Sequence, residues 1–280
     1  MVANLVYRFG AWLRHQLTSW NTGGEGIHSP YLFHLVRHII SDENRYYCWA
    51  DIEDRREAML HAPKLVKVLD YGSRGQGKEE ERLVCDIAKT SLESAKNAQI
   101  FFRIVNWLGH EKGEPLQIME LGTNLGITTA YLAMADSRNR VVTFEGSEAL
   151  IEMAELNWRK LGLKNIEVVK GNIDDTLYIY NNNRAQNTDL SADRTQTWDV
   201  VYLDANHRLE PTLRYFEEIQ KYVGEKSIVI VDDIYHSREM EEAWKRLESV
   251  PKVTTTMDFF DFGLIFFDSH YLKKHYKLRI

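Results

Sequence analysis

The sequence has few cysteines and no long apolar run, and these absences exclude several classes of protein. Its two cysteines, Cys48 and Cys85, form no CxxC pair and have no histidine at zinc-finger spacing. Neither a disulfide framework nor a structural zinc site is therefore predicted. No hydrophobic run reaches the roughly 20 residues that span a bilayer. We expect a cytoplasmic protein with reduced thiols and no membrane partner.

The sequence also has no excess of basic residues: 41 acidic residues outnumber 35 basic ones, which gives a net charge of −6. A protein that grips phosphate backbones over a broad basic face needs the opposite balance, so nucleic acid is not an expected partner. The N-terminal stretch, residues 1–20, interrupts its apolar residues with Arg8 and Arg14. This pattern predicts a packing helix and not a signal peptide.

The 280 residues, 44% of them hydrophobic, are enough for one large domain with an appended segment. Residues 1–110 show no regular alternation of strands and helices and predict a mainly helical appendage, in which residues 91–108 carry one apolar stripe at helical spacing. Residues 111–280 alternate short apolar runs with amphipathic stretches, which predicts a doubly wound, mostly parallel α/β sheet ending in an antiparallel pair. The polar stretch 181–197 is predicted to be a mobile insertion, and the basic C-terminal HYLKKHYKLRI a solvated tail.

A glycine turn follows the first predicted strand of the α/β part. The run LQIMEL leads into Gly122, Thr123, Asn124, Leu125 and Gly126 before a predicted helix. Such a turn presents backbone N–H groups and a helix N-terminus to a ligand. The middle glycine of the dinucleotide fingerprint is missing, however, which favours a cofactor without a pyrophosphate.

The next strand, VVTFE, ends in Glu145, whose carboxylate can accept both hydroxyl hydrogens of a ribose. A glycine turn followed one βα unit later by an acid at a strand end predicts an adenosine-type ligand. S-adenosylmethionine (SAM) is such a ligand, since it carries a ribose and an adenine but no phosphate.

Acids and histidines follow two later strands. WDVVYL is followed by Asp204, and SIVIV by Asp232 and Asp233, with His207 and His236 three residues beyond an acid in each case. Ligands of open parallel sheets bind at the carboxyl ends of the strands, so these side chains are candidates for chemistry. Three carboxylates repel one another, and a hard divalent ion such as Mg²⁺ or a nearby basic group is expected beside them. Either imidazole can accept a proton from a substrate hydroxyl near neutral pH.

Taken in order, these segments resemble the motifs of class I SAM-dependent methyltransferases, and most closely bacterial O-methyltransferases distantly similar to catechol O-methyltransferase. The likeness runs over residues 116–268 and rests on ELGTNLGITTAYLA, VVTFEGSEALIEMAELNWRKLGL, GNIDDTL, WDVVYLDANHRLEPTL and IVIVDDIYHSREMEEAW. It implies a Rossmann-like sheet of seven strands, SAM as cofactor and a small-molecule hydroxyl as the methyl acceptor.

The resemblance also implies roles for individual residues. The implied cofactor-binding set is Glu120, Gly122, Thr123, Asn124, Gly126, Glu145, Gly146, Asn172, Ile173 and Asp204, with Glu145 on the ribose and Asn172 and Ile173 beside the adenine. Asp204, Asp232 and Asp233 fall on the metal-binding acids of the family, although catechol-type enzymes have Asp-Asn where this chain has Asp232-Asp233. His207 stands near the place of the lysine base of those enzymes, so His207 and Asp204 are the implied catalytic pair and His236 a substrate residue.

Two other classes of protein stay open at this point. A nicotinamide-dependent oxidoreductase with a Rossmann fold is disfavoured by the missing glycine. A nucleoside-binding module without turnover would have no use for acids and histidines at two strand ends. The acceptor cannot be identified from the sequence, and the oligomeric state is open, with a homodimer as one expectation.

Overall fold

The computed structural model describes residues 2–19, 24, 26–71, 77–186 and 197–280. They form two compact units, the first made of Met1–Asp42 with Tyr180–Ile280 and the second of Glu43–Ile179. Each unit therefore combines part of the predicted appendage with part of the predicted α/β region. The boundary near residue 110 stays a prediction.

The described elements follow one another as helices and strands in close alternation after residue 113. In chain order they are α1 (Val2–Thr18), α2 (Pro30–His34) continued by a π-helical turn (Leu35–Ile40), α3 (Cys48–Leu60), β1 (Leu65–Asp70), β2 (Lys78–Leu83), α4 (Val84–Ser91), α5 (Ala95–Lys112), β3 (Gln117–Leu121), α6 (Ile127–Met134), β4 (Arg140–Glu145), α7 (Glu148–Lys160), β5 (Ile166–Lys170), α8 (Ile173–Gln186), β6 (Trp198–Leu203), α9 (Leu209–Ile219) followed by a 3-10 turn (Gln220–Tyr222), β7 (Val223–Asp232), α10 (Arg238–Ser249), β8 (Thr255–Asp258), β9 (Phe262–Phe266) and β10 (Lys274–Lys277).

The second unit holds a parallel run of strands in the order β3, β4, β5. The middle strand is mainly apolar and almost fully buried from Val141 to Phe144 because helices cover it. The apolar stripe predicted over residues 91–108 lies on α5, which begins after the N-cap Ser94 and buries Ile100, Phe101 and Ile104 almost completely. The prediction of a packing helix there is confirmed.

An antiparallel hairpin, β1 with β2, also belongs to the second unit, and the sequence reading of a mainly helical appendage missed it. β2 reads KEEERL, and such a charged segment has little intrinsic preference for a strand. It pairs because β1 is anchored from its other side, where Val66 and Val68 pack with Leu150 and Met153 of α7.

The first unit holds five strands in the order β10, β8, β9, β7, β6. β6 and β7 are parallel, and β9 lies antiparallel between β7 and β8, as predicted for the terminal pair. The α10 helix begins at the N-cap Ser237, whose hydroxyl accepts from the Met240 N–H at 3.2 Å. This cap leaves Asp233 available for another role.

Two predictions for this unit need correction. The C-terminal stretch is not a solvated tail: Lys274–Lys277 forms β10, parallel to β8, and Tyr276 and Leu278 are buried. The strands of the mostly parallel α/β fold therefore number eight and not seven. Within the predicted insertion 181–197, residues 181–186 complete α8, and residues 187–196 lie outside the described part of the chain.

The N-terminal helix packs through one narrow face, as predicted. Ala11 and His15 are buried, and the His15 imidazole lies 3.0 Å from the Asp258 carboxylate. The opposite face exposes large apolar side chains, namely Leu5, Val6, Phe9, Trp12, Leu13 and Leu17. In the described parts of the chain, no helix is both long enough and apolar enough to cross a membrane.

Candidate functional site

The glycine turn connects β3 to α6 and is built on left-handed backbone. Gly122, Asn124 and Gly126 have φ values of +103°, +51° and +73°. The N–H groups of Gly122 and Thr123 both donate to the carbonyl of Phe144 on β4, at 3.1 and 3.2 Å. The turn therefore lies against the strand that carries Glu145 at its end.

Helix α7 holds the far side of this turn. The Trp158 indole N–H donates to the Gly126 carbonyl at 2.7 Å, and the Asn157 amide donates to the Leu125 carbonyl at 3.0 Å. A Cβ on Gly126 would lie 2.7 Å from both the Ala154 Cβ and the Trp158 Nε1. Only glycine fits here, for its positive φ and for the close approach of α7.

Glu145 faces the glycine turn, as the sequence predicts. Its Oε2 accepts from the Asn124 backbone N–H and its Oε1 from the Ser147 N–H, both at 2.9 Å. A carboxylate oxygen has more than one acceptor position, so both oxygens can still take a hydroxyl hydrogen. The Asn124 side chain adds a buried acceptor, because its Oδ1 has no hydrogen-bond partner within the described structure. These groups fit a ligand that offers N–H or O–H donors.

Glu120 lies beneath the turn and not on its surface. The side chain is completely buried, and its Oε2 accepts from the hydroxyls of Thr129 at 2.5 Å and Thr143 at 2.6 Å. The Thr143 hydroxyl also lies 2.6 Å from that of Thr123 in the turn. Burial raises the pKa of Glu120 to about 8, so this carboxyl is mostly neutral at pH 7. Glu120 therefore supports the turn through Thr143. Its predicted contact with the cofactor stays a prediction.

Asn172 and Ile173 follow β5 and come close to Glu145 through the backbone. The Gly171 N–H donates to the Glu145 carbonyl at 2.9 Å. The Asn172 Oδ1 accepts from the Asp174 N–H at 3.1 Å, so this side chain caps the first turn of α8. A role beside an adenine stays a prediction for both residues.

In the first unit, the acids at two neighbouring strand ends come together around one hydroxyl. The Tyr202 hydroxyl lies 2.7 Å from the Asp232 Oδ2 and 3.2 Å from the Asp204 Oδ2. Asp232 is nearly buried and also accepts from the Asp233 N–H at 2.9 Å. The predicted proximity of Asp204 and Asp232 is thus present, with a tyrosine between them.

Each predicted histidine is paired with an aspartate three residues before it. The His207 Nε2 lies 3.3 Å from the Asp204 Oδ1, and the His236 Nδ1 lies 3.2 Å from the Asp233 Oδ2. The two imidazole rings are 5.5 Å apart, centre to centre. Burial lowers the pKa of His207, so its imidazole is neutral and able to accept a proton near pH 7.

The loops that carry these acids and histidines contain residues with strained backbone. Among the described residues, five that are not glycine have positive φ, and three of them are Asn206, His207 and Asp233, while a fourth is Asn124 of the glycine turn. Left-handed backbone costs energy outside glycine and is concentrated at sites where a side chain must be aimed. The strain is consistent with functional loops at these strand ends.

Two of the three acids, Asp204 and Asp233, have basic side chains beside them. The Arg8 guanidinium of α1 lies 3.8 Å from the Asp233 carboxylate and 3.5 Å from that of Asp261. Burial alone would raise the pKa of Asp233, but His236, His207 and Arg8 outweigh it and lower that pKa. Basic side chains, one of the two expected means of neutralising the acids, are thus present beside Asp204 and Asp233, and a metal ion at these acids stays a prediction.

The three acids do not form a compact set of ligands for a divalent ion. The only group of three carboxylate, imidazole or thiol ligands lying within 4.8 Å of one another, in the part of the chain that is described, is Glu225, Asp268 and His270. Asp204, Asp232 and Asp233 do not form such a group; the Tyr202 hydroxyl contacts the first two, and the Arg8 guanidinium lies beside the third. The proton transfer proposed below does not use a metal ion at these acids.

Sequence reasoning missed two residues that contact these acids, Tyr202 and Arg8. Tyr202 stands two positions before Asp204 on a strand, so the pleat places both on one face, and this spacing could have identified it. Arg8 carries no such signal, because it reaches Asp233 from α1, whose placement only the tertiary structure provides.

Residues 119–234 match the family described as Methyltransferase domain. The matched part includes the glycine turn, Glu145, Asp204 and Asp232, so this part of the chain is similar to a methyltransferase domain. The sequence matches none of the curated proteins.

Solved structures, methyltransferases among them, share the fold over most of the chain. The O-methyltransferase from Bacillus cereus in complex with SAH is 17% identical, with a TM-score of 0.54 over 80% of this chain and 92% of that one. Cofactor-bound Rv0187 from MTB is 17% identical, with a TM-score of 0.56 over 81% and 93%. SAH-bound methyltransferase PaMTH1 from Podospora anserina is 12% identical, with a TM-score of 0.54 over 81% and 90%. At these identities the likeness establishes the fold.

Proposed function

We propose that the protein is a SAM-dependent methyltransferase that methylates a hydroxyl oxygen of a small molecule. The observation that carries the proposal is the geometry of Glu145, whose carboxylate accepts from the Asn124 and Ser147 N–H groups and faces the glycine turn. In a methyltransferase domain, an acid held in this way suits the two hydroxyls of a ribose. The solved relatives of the same fold that carry SAH or another cofactor support this assignment.

The remaining cofactor contacts would come from the turn. Gly122 offers backbone without a side chain, and the free Asn124 Oδ1 suits an ammonium or amide donor. When bound, SAM supplies an electrophilic methyl group on a sulfonium sulfur, which becomes a thioether as the new oxygen–carbon bond forms. The protein gains mainly by alignment and by presenting a deprotonated oxygen.

In this proposal the acceptor proton goes to His207. Burial keeps the imidazole neutral, and Asp204 beside its Nε2 orients the ring and stabilises the imidazolium that forms. The Nδ1 is then the nitrogen that accepts the proton. His236, with Asp233, is the second such pair and is proposed to contact the acceptor. Mg²⁺ is not needed for this proton transfer.

Turnover is tested with SAM carrying a tritiated methyl group and a panel of phenols, catechols and sugar alcohols. We expect label to appear in an ether product, and His207→Gln to lower the rate at least about 100-fold, the usual contribution of a general base. His61→Gln makes the same substitution at an exposed histidine outside these loops and is the control. Absence of transfer to any hydroxyl compound, together with tight binding of S-adenosylhomocysteine, would support a binding module without turnover instead.

A further inference from the structure

Tyr71 lies against the backbone next to the ribose-binding acid. It follows β1, outside the matched methyltransferase domain. A Cβ built on Gly146 would lie 2.4 Å from the Tyr71 Cδ2 and 2.6 Å from its Cε2. The phenol ring therefore packs directly on Gly146, the residue between Glu145 and Ser147.

The position of this ring is fixed by the hairpin that carries it. The Leu69 N–H donates to the Ser147 hydroxyl at 3.3 Å, which ties the end of β1 to the start of α7. Further along, Val66 and Val68 of β1 pack with Leu150 and Met153 of α7. Because the same helix start also binds Glu145 through the Ser147 N–H, the ring and the carboxylate are held by one piece of backbone.

The chemistry of this arrangement suits a nucleobase. Glycine at position 146 has no side chain, and the space that a side chain would take is filled by an aromatic ring from another segment. That ring is not enclosed, since 37% of Tyr71 is exposed. Aromatic side chains on which a base can stack bind nucleic acid bases without regard to sequence, through their flat apolar faces.

We propose that Tyr71 is a further cofactor-binding residue, which packs against the nucleoside part of the cofactor beside Glu145. This inference rests on the proposed function, because it takes the Glu145 carboxylate as the ribose ligand. In this proposal the β1–β2 hairpin takes part in the site. It places an aromatic side chain next to Gly146, which has no side chain of its own.

Calorimetric titration of the full chain with S-adenosylhomocysteine tests the proposal. We expect Tyr71→Ala to weaken binding about 5-fold to 150-fold, the range found for removing one stacking contact with a base. Tyr71→Phe keeps the ring and should bind within about 2-fold of the unmodified protein. Tyr47→Ala removes a tyrosine that is 94% exposed in the same unit and should leave binding unchanged.

Tyr71→Leu separates stacking from simple filling of space, because leucine can cover Gly146 but offers no ring. The melting temperature of every variant is measured alongside binding, and Tyr71→Leu replaces Tyr71→Ala if the alanine variant does not fold. A loss of affinity in Tyr71→Leu with full affinity in Tyr71→Phe supports the proposal. Equal affinity of Tyr71→Leu and the unmodified protein would overturn it while leaving the methyltransferase assignment intact, whereas no binding by the unmodified protein would remove that assignment.

Discussion

The buried carboxyl of Glu120 makes the stability of the protein depend on pH. Its pKa is raised from 4.5 to about 8, because burial disfavours the charged form more than the hydroxyls of Thr129 and Thr143 favour it. For an acid whose folded pKa lies above its unfolded pKa, the stabilising contribution is complete below about pH 4.5. It is lost as pH rises from about 4.5 to 8, because the unfolded state releases its proton in this range while the folded state keeps it, and the loss is complete above the folded pKa.

The substitution Glu120→Gln removes this ionisation and keeps an acceptor oxygen for the two threonines. With 1.36 kcal/mol per pKa unit, the unfolding free energy of the unmodified protein should fall by about 4 kcal/mol relative to the glutamine variant between pH 5 and pH 9. Urea denaturation of both proteins at pH intervals measures the difference. Glu152→Gln, an exposed position on α7, is the control for general effects of removing a carboxylate. A difference between Glu120→Gln and the unmodified protein that stays constant from pH 5 to pH 9 would refute the reasoning.

Three further perturbations test other parts of the structure. Gly126→Ala should lower the unfolding free energy by at least about 2 kcal/mol, since alanine meets Trp158 and is strained at positive φ; an unchanged melting temperature would contradict this. Tyr202→Phe should cost about 1–3 kcal/mol in urea denaturation, because it leaves two carboxylates without their shared hydroxyl; a neutral or stabilising effect would show that the hydroxyl does not hold them. Methyl transfer should increase with pH through a midpoint below 6.5, as the lowered pKa of His207 requires, and a midpoint that is unchanged in a residually active His207→Gln would assign the base to another group.

The sequence predicted the parallel part of the fold well because its signals are local. Buried parallel strands such as Val141–Phe144 are mainly apolar runs, and helices such as α5 carry their own apolar stripe and N-cap residue. β2 and β10 were missed for the opposite reason. A charged segment forms a strand only when tertiary contacts hold the neighbouring strand in place, and the local sequence pattern does not indicate those contacts.

The candidate site could be predicted where it depends on strand ends. Glu145 faces the glycine turn and Asp204 lies near Asp232 because parallel topology brings strand ends together. The positions of Arg8 and Tyr71 could not be predicted, because the sequence of the segment that carries each residue does not indicate where that segment packs. The pairing of Arg8 with Asp233 is the clearest case, because the sequence predicted either a metal ion or a basic group beside the acids and did not choose between them.

The central claim is that Glu145 and the glycine turn hold the ribose of a SAM-type cofactor, and calorimetry with S-adenosylhomocysteine on the unmodified protein and Glu145→Ala tests it most directly. The account predicts one molecule bound per chain, with affinity at least about 10-fold weaker in the variant, as expected when hydrogen bonds to a charged acceptor are removed. Absence of binding by the unmodified protein, or equal affinity in both proteins, would contradict it.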